Sequence, residues 1–290
     1  MKTKSLLMLC VVLLTAGCEK AYEEDVKTKD GKANVHLRVS NLNMLPFDDV
    51  TVTKAFQPIS QLSTRLTFAI FADGTKVKTI HQDASQNDFG SVSLSLDPGS
   101  YDVAIIAYTA NKNLSIPSLD KITFPDNHVS DTFYCYGELV VNNETVEEEV
   151  ELDRAVAMFR LKTTDEIPYD VSQMKFYYTG GSSTFDATTG YGCVNSRQTE
   201  LITVTDDMVG KPGTFEVYTF PRSDSNKLTM TVTAIDNVGG TYMEKKFENV
   251  GIECNMITEY QGSFFNSSQW DDVFNIVADP QWQGTQTHSY

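Results

Sequence analysis

Basic residues are scarce in this chain: 23 Lys and Arg stand against 39 Asp and Glu, a formal charge of −16 at pH 7. That balance argues against nucleic acid as a partner, since phosphate binding needs a basic face. It also argues against the protein body lying on anionic lipid. Cysteine is sparse, with five in 290 residues. Cys10 and Cys18 fall at the N-terminus, leaving Cys135, Cys193 and Cys254 far apart in sequence. At most one disulfide can form among these three, so the fold is not a disulfide scaffold, and small, mostly buried thiols are expected. Long hydrophobic runs are missing too. The longest, Leu6–Leu14, is nine residues, about half of the roughly twenty that a membrane-spanning helix requires.

Residue patterns that carry chemistry are equally thin. The four histidines, His36, His81, His128 and His288, sit in no His-Glu-x-x-His arrangement and at no ligand spacing from one another or from cysteine. The acidic pairs Asp48-Asp49, Asp206-Asp207 and Asp271-Asp272 lack the alternating ligands and central glycine of a calcium loop and read as solvated turns. Gly180-Gly181-Ser182-Ser183 lacks the strand-to-helix setting of a nucleophile elbow, and there is no glycine-rich phosphate loop. No enzymatic activity, cofactor or metal is expected.

What the chain does have begins at its first residue. Lys2 and Lys4 precede the apolar run, and Thr15-Ala16-Gly17 leads into Cys18. A positive start, a short apolar core and a small-residue exit read as a secretory signal peptide over residues 1–17. The small residues before Cys18 resemble a lipobox, in which the cysteine is acylated and becomes the first residue of the mature protein. The commonest lipobox has Leu three residues before the cysteine, and here that position is Thr15, with Leu14 one place earlier. Loss of Lys2 and Lys4 with the leader makes the mature chain still more acidic. Two or three acyl chains give a firm anchor, because each buried methylene contributes roughly 0.8 kcal/mol. The stretch Glu19–Asp25 is acidic and has no core-forming pattern. It reads as a solvated tether (residues 18–30) and resembles the acidic patch that directs lipoproteins of Bacteroidetes-type bacteria to the outer face of the outer membrane.

Beyond the tether, period-two alternation recurs. Val35, Leu37 and Val39 alternate with polar neighbours, as do Leu66, Phe68 and Ile70, and Tyr101, Val103 and Ile105. Later come Ala157, Phe159 and Leu161; Met174, Phe176 and Tyr178; Phe215 and Val217; and Leu228, Met230 and Val232. Each run presents one face to a core. Asp73-Gly74 and Asp236–Gly240 read as hairpin turns, and Asp97-Pro98-Gly99 as a corner in which the glycine supplies a positive φ. No sustained helical period appears. About a dozen strands with regular turns predict all-β sandwiches. Glu144–Leu152 is an acidic strand with Val146, Val150 and Leu152 on one face. The chain is expected to divide near Arg154 into an N-terminal sandwich (31–154) and a C-terminal one (155–290). Thr179–Glu200 reads as a long polar loop. Tyr136 and Tyr178 read as core, whereas Trp270 and Trp282 stand among polar neighbours.

Three stretches together resemble a known family: the lipobox, Leu96–Val103 with its Pro-Gly-Ser-Tyr-Asp-Val turn and strand, and Glu151–Ala157 with its Leu-Asp-Arg-Ala-Val-Ala run. In this order they resemble the FimB/Mfa2 family of fimbrial anchor lipoproteins of Bacteroidales, within the fimbrillin superfamily. The resemblance implies two tandem transthyretin-like β-sandwich domains after a lipoprotein signal peptide. It also implies a role at the base of a fimbrium, held in the outer membrane by acylated Cys18 and joined to pilin subunits by β-strand complementation. Two segments are candidates for that joint. One is Val273, Phe274, Asn275, Ile276 and Val277, which otherwise forms the last strand of its own sandwich. The other is Val35–Val39, which an anchor should keep, so no maturation cut beyond Cys18 is expected. The alternative is a surface lipoprotein that captures glycan or a host protein through loops and exposed aromatics such as Trp270 and Trp282.

Overall fold

The computed structural model describes residues 34–43 and 59–266, with the backbone of Gly284–Thr285. Cys18 and everything before it, the tether, Asp48-Asp49, Trp270, Asp271-Asp272, Val273–Val277, Trp282 and His288 lie outside the described residues. The first half carries β1 (Val35–Asn43), α1 (Ile59–Leu62), β2 (Arg65–Ala72), β3 (Thr75–Asp83), β4 (Ser91–Leu94), β5 (Gly99–Tyr108), β6 (Ser115–Ser118), β7 (Lys121–Thr123), β8 (Phe133–Val141) and β9 (Val146–Arg154). The second carries β10 (Ala157–Glu166), β11 (Val171–Thr179), β12 (Thr184–Asp186), β13 (Tyr191–Gly192), β14 (Arg197–Thr203), β15 (Pro212–Thr219), β16 (Lys227–Asp236), β17 (Thr241–Gly251), β18 (Met256–Gly262) and β19 (Gly284–Thr285). The protein is all-β, as the alternation predicts.

In the first half one seven-stranded sheet runs β3-β2-β5-β8-β9-β1-β4. It curls on itself, so that Leu66, Phe68 and Ile70 of β2 and Val103 and Ile105 of β5 share a core with Val35, Leu37 and Val39 of β1 and Leu152 of β9. In the second half, sheets β14-β11-β16-β17 and β15-β10-β18-β19 close on Phe159, Met174, Phe176, Tyr178, Phe215, Met230 and Val232. Within the described residues, the alternating runs at Val35–Val39, Leu66–Ile70, Tyr101–Ile105, Ala157–Leu161, Met174–Tyr178, Phe215–Val217 and Leu228–Val232 each have a buried face.

A third core lies between the halves and was not visible as alternation. β2 and β5 are buried on both faces: Ala69 and Phe71, with Ala104, Ile106 and Tyr108, point away from the first core and meet Val156, Met158, Phe185, Phe220 and Ile257 of the second half. A small sheet, β13-β12-β7-β6, crosses the boundary, with Phe185 opposite Ile122. Phe185 stacks on Phe220 at 4.8 Å and meets Tyr134 edge-on at 4.9 Å. Each large apolar side chain buried here contributes roughly 1.5–3 kcal/mol, so the halves are fastened by packing as well as by the chain.

The turns follow their chemistry with one correction. Asp73 (φ 48°) and Gly74 (φ 73°) join β2 to β3 in the tight hairpin expected of Asp-Gly. The carboxylate of Asp236 accepts the N–H groups of Val238 (2.9 Å) and Gly240 (2.7 Å), with Gly239 at φ 86°. Gly99, however, does not take a positive φ. That corner is held instead by Tyr101, whose hydroxyl donates to the Asp97 carbonyl at 2.7 Å. Thr179–Glu200 is also not a free loop. It folds into β12, β13 and the start of β14, and it docks on the first half where the Ala187 N–H donates to the Leu119 carbonyl at 2.9 Å. Gly190 turns this segment at φ 78°, directly against the Tyr134 hydroxyl, where any Cβ would collide.

Candidate strand-accepting seam

A joint made by strand exchange needs a strand edge with unpaired N–H and C=O groups. Of the two segments proposed from sequence, Val273–Val277 falls outside the described residues. Val35–Val39 lies within β1, which is paired on both sides: parallel to β9 from Val35↔Val146 to Asn43↔Asp153, and antiparallel to β4 from Val35↔Leu94 to Arg38↔Ser91. As it stands, β1 offers no free edge along those residues.

An opening exists elsewhere, between β8 and β9. These strands are joined by only four residues and would ordinarily form a continuous hairpin. Their ladder consists of Phe133↔Arg154 and Tyr134↔Asp153 and then stops. Beyond it Cys135–Val141 stays paired to β5 and Val146–Leu152 to β1, yet among the described residues no backbone hydrogen bond joins one to the other. Leu37, Val103, Ile105, Leu139 and Val150 floor the resulting cleft, with Cys135 in its wall and Glu138 and Glu148 at its margins.

The sequence explains why the hairpin does not close. Extending the observed register pairs Glu138 with Glu149 on the outer face and Leu139 with Glu148 on the inner face. Like charges directly opposite each other destabilise an antiparallel pair, and a carboxylate forced into an apolar layer is costly unless it is paired. The outer face of β9 repeats the problem: Glu147, Glu149, Glu151 and Asp153 are all exposed. The inner face reads Val146, Glu148, Val150, Leu152, one carboxylate in an otherwise apolar row. Glu148 in that row is the sequence signal of the open seam, which the apolar members Val146, Val150 and Leu152 alone do not show.

The seam is bounded by the four-residue connection at one end and by the Phe133↔Arg154 ladder at the other, and Arg154 pins the ladder end. Its guanidinium is buried, donates to both Asp131 carboxylate oxygens at 2.7 and 2.9 Å and to Asn255 Oδ1 at 3.0 Å, and lies 4.7 Å from the Phe133 ring centre. It thereby ties β8, β9 and the loop before β18 at one point.

The remaining sequence candidates resolve as follows. Burial pushes the Cys135 thiol up to about 11, with Asp153 adding to the effect, and burial likewise raises Cys254 to about 11. Against the expectation of buried thiols, Cys193 is exposed and Cys135 and Cys254 are only partly buried. Tyr178 is fully buried and Tyr177 is exposed. Tyr136 is partly buried and donates to Asp102 at 3.0 Å. His128 pairs with Glu200 across the two halves at 2.7 Å; that hydrogen bond, opposed by burial, raises the imidazole pKa. His81 meets Thr67 at 2.9 Å, and burial lowers its pKa. Asp165 accepts from Ser263 Oγ and from the N–H groups of Phe264, Phe265 and Asn266 at 2.6–2.9 Å. Among the described residues no group of three or more His, Cys, Asp or Glu is placed to hold a metal.

By fold, then, the chain is an all-β sandwich protein. Over residues 27–269 it matches the family described as Fimbrillin-A associated anchor proteins Mfa1 and Mfa2, and it belongs to that family. Family membership places it among fimbrial anchor proteins, which are not enzymes, and implies a fimbrial location at the cell surface. Similar solved structures include a proposed adhesin of Bacteroides ovatus (14% identity, 81% of this chain and 88% of that one, TM-score 0.48). Others are a proposed cell adhesion protein of Bacteroides eggerthii (10%, 90% and 99%, 0.45) and the fimbrial anchor protein Mfa2 of Porphyromonas gingivalis (8%, 73% and 80%, 0.39). No curated protein matches the chain.

Proposed function

We propose that this chain is the lipid-anchored base of a fimbrium. Acylated Cys18 holds it in the outer membrane, the acidic tether presents it at the cell surface, and β-strand complementation joins it to pilin subunits. Its parts are the leader 1–17, the tether 18–30 and two sandwiches, 31–154 and 155–290. The observation that supports the joint is the β8–β9 seam: two strand edges left unpaired over an apolar floor, in a chain of a fimbrial anchor family. Backbone hydrogen bonds along an inserted strand give strength, and pockets for alternate side chains give choice of partner. The Val273–Val277 segment is a second route to the same joint, as a strand given rather than received.

The test is fractionation of cells carrying Cys18→Ala, with fimbriae followed by immunoblot and electron microscopy. Fimbriae shed into the medium with this protein at one end are the expected result. Fimbriae that stay on the cell as before overturn the anchor reading.

A further inference from the structure

We infer that the β8–β9 seam selects its strand by charge. It takes an extended segment of a partner polypeptide with apolar side chains at alternate inward positions and a lysine or arginine at the position facing Glu148. The inference rests on the strand-complementation reading and gives that joint its specificity.

Three observations carry it. Glu148 is half-buried and inward-facing, between Val146 and Val150 on its own strand and beside Leu37 on β1, and it takes part in no hydrogen bond or ion pair among the described residues. The register that would close the hairpin sets this carboxylate against Leu139 and Glu138 against Glu149, so β8 cannot satisfy it. The outer margin is acidic on both strands, with Glu138 on β8 and Glu147, Glu149 and Glu151 on β9 exposed. A strand laid along β9 brings one inward side chain opposite Glu148. An apolar residue there leaves a carboxylate buried without a partner, an acid adds repulsion, and a cation relieves both. The remaining inward positions meet Leu37, Ile105, Leu139 and Val150 and require apolar side chains. About seven residues at roughly 3.3 Å each span the free length of β8.

An inward charge can also serve only as a guard that keeps any strand from adding to a sheet. The two roles predict different results. The probes are two fluorescein-labelled nonapeptides, Thr-Val-Thr-Lys-Thr-Val-Thr-Val-Thr and its twin with glutamate in place of lysine. Each is titrated by fluorescence polarisation into the full lipoprotein purified in detergent. Alkylation of Cys135 is measured in parallel by peptide mass spectrometry, with exposed Cys193 as the internal standard. The lysine peptide is expected to bind about tenfold or more tightly than its twin and to slow alkylation at Cys135 but not at Cys193. Glu148→Lys is expected to invert the preference, and the near-isosteric Glu148→Gln to abolish it while binding persists, each variant being checked for a native melting profile. Equal affinities, a preference unchanged in Glu148→Lys, or no protection of Cys135 overturn the inference. So does the guard's signature, in which neither peptide binds the native protein and both bind Glu148→Gln. Shedding of fimbriae in Cys18→Ala without any peptide preference sinks charge selection alone, whereas peptide selection without shedding sinks the anchor reading and leaves the seam intact.

Discussion

Replacing Arg154 with alanine removes the group on which three elements converge. Its side chain is 2% exposed and makes two charge-assisted bonds to Asp131, one to Asn255 and a ring contact with Phe133. Breaking a buried ion pair by deleting one partner costs about 3–5 kcal/mol, mostly because the other charge is stranded. Asp131 is 22% exposed, so water recovers part of its solvation, and the expected loss sits at the low end, about 3 kcal/mol. For a domain of this size that is a fall of roughly 6–12 °C in Tm. Calorimetry on the wild type, Arg154→Ala, Asp131→Ala and the double variant closes a cycle, with a coupling of about 1–3 kcal/mol between the two sites. The wild type should melt in one transition, since the shared core and Arg154 couple the halves. A loss under about 1 kcal/mol in Arg154→Ala would refute the claim that this cluster pins the seam, and two separate wild-type transitions would refute the coupling.

Phe185→Ala empties a fully buried site between Phe220 and Tyr134 and should cost about 3–5 kcal/mol, read by urea unfolding; a cost below about 1 kcal/mol would mean the docked segment is not part of the shared core. Asp165 has its pKa raised by burial but lowered further by its bonds to Phe264, Asn266, Ser263 and Phe265, leaving it below the usual aspartate value. Its contribution is therefore complete above the pH at which an unfolded aspartate ionises, and it is lost as pH falls through the depressed value. Asp165→Asn should cost about 1–2 kcal/mol and speed hydrogen exchange at Phe264–Asn266, and unchanged exchange there would count against it. His128 has a raised pKa, so its attraction to Glu200 is present below the ordinary histidine value and fades as pH rises through the raised one. NMR titration should place its midpoint above that of His81, whose pKa is lowered, and the reverse order would contradict the assignment.

Much of the fold was legible because burial on one face leaves a period of two. Leu66, Phe68 and Ile70, or Met174, Phe176 and Tyr178, could hardly be read otherwise. The shared core was not legible because its members occupy the other face of the same strands. Ala69, Phe71, Ala104 and Ile106 look like the relaxed outward side of β2 and β5 until Phe185 and Phe220 arrive from about a hundred residues away. Thr179–Glu200 looked like a loop for a related reason: β12 and β13 are three and two residues long, and β12 pairs with β13 on one side and with β7 of the other half on the other. The seam was half legible. The acidic strand was recognised, but the meaning of Glu148 depends on what stands opposite it, and only the Phe133↔Arg154 register supplies that. Gly99 misled because Pro-Gly suggests a turn glycine, whereas a tyrosine two residues on holds the corner.

β1 runs beside β9 in the same direction through eight residue pairs, interrupted by one bulge after Val39. From the end of β9 the chain continues into the second half. Tension applied between the start of β1 and the second half therefore drags the two strands lengthwise past each other. In that geometry the backbone bonds of the ladder share the load and must fail together, whereas a hairpin pulled from its open end peels one bond at a time. The parallel pairing makes β1 a shear clamp, with its resistance set by the length of the ladder rather than by its weakest bond.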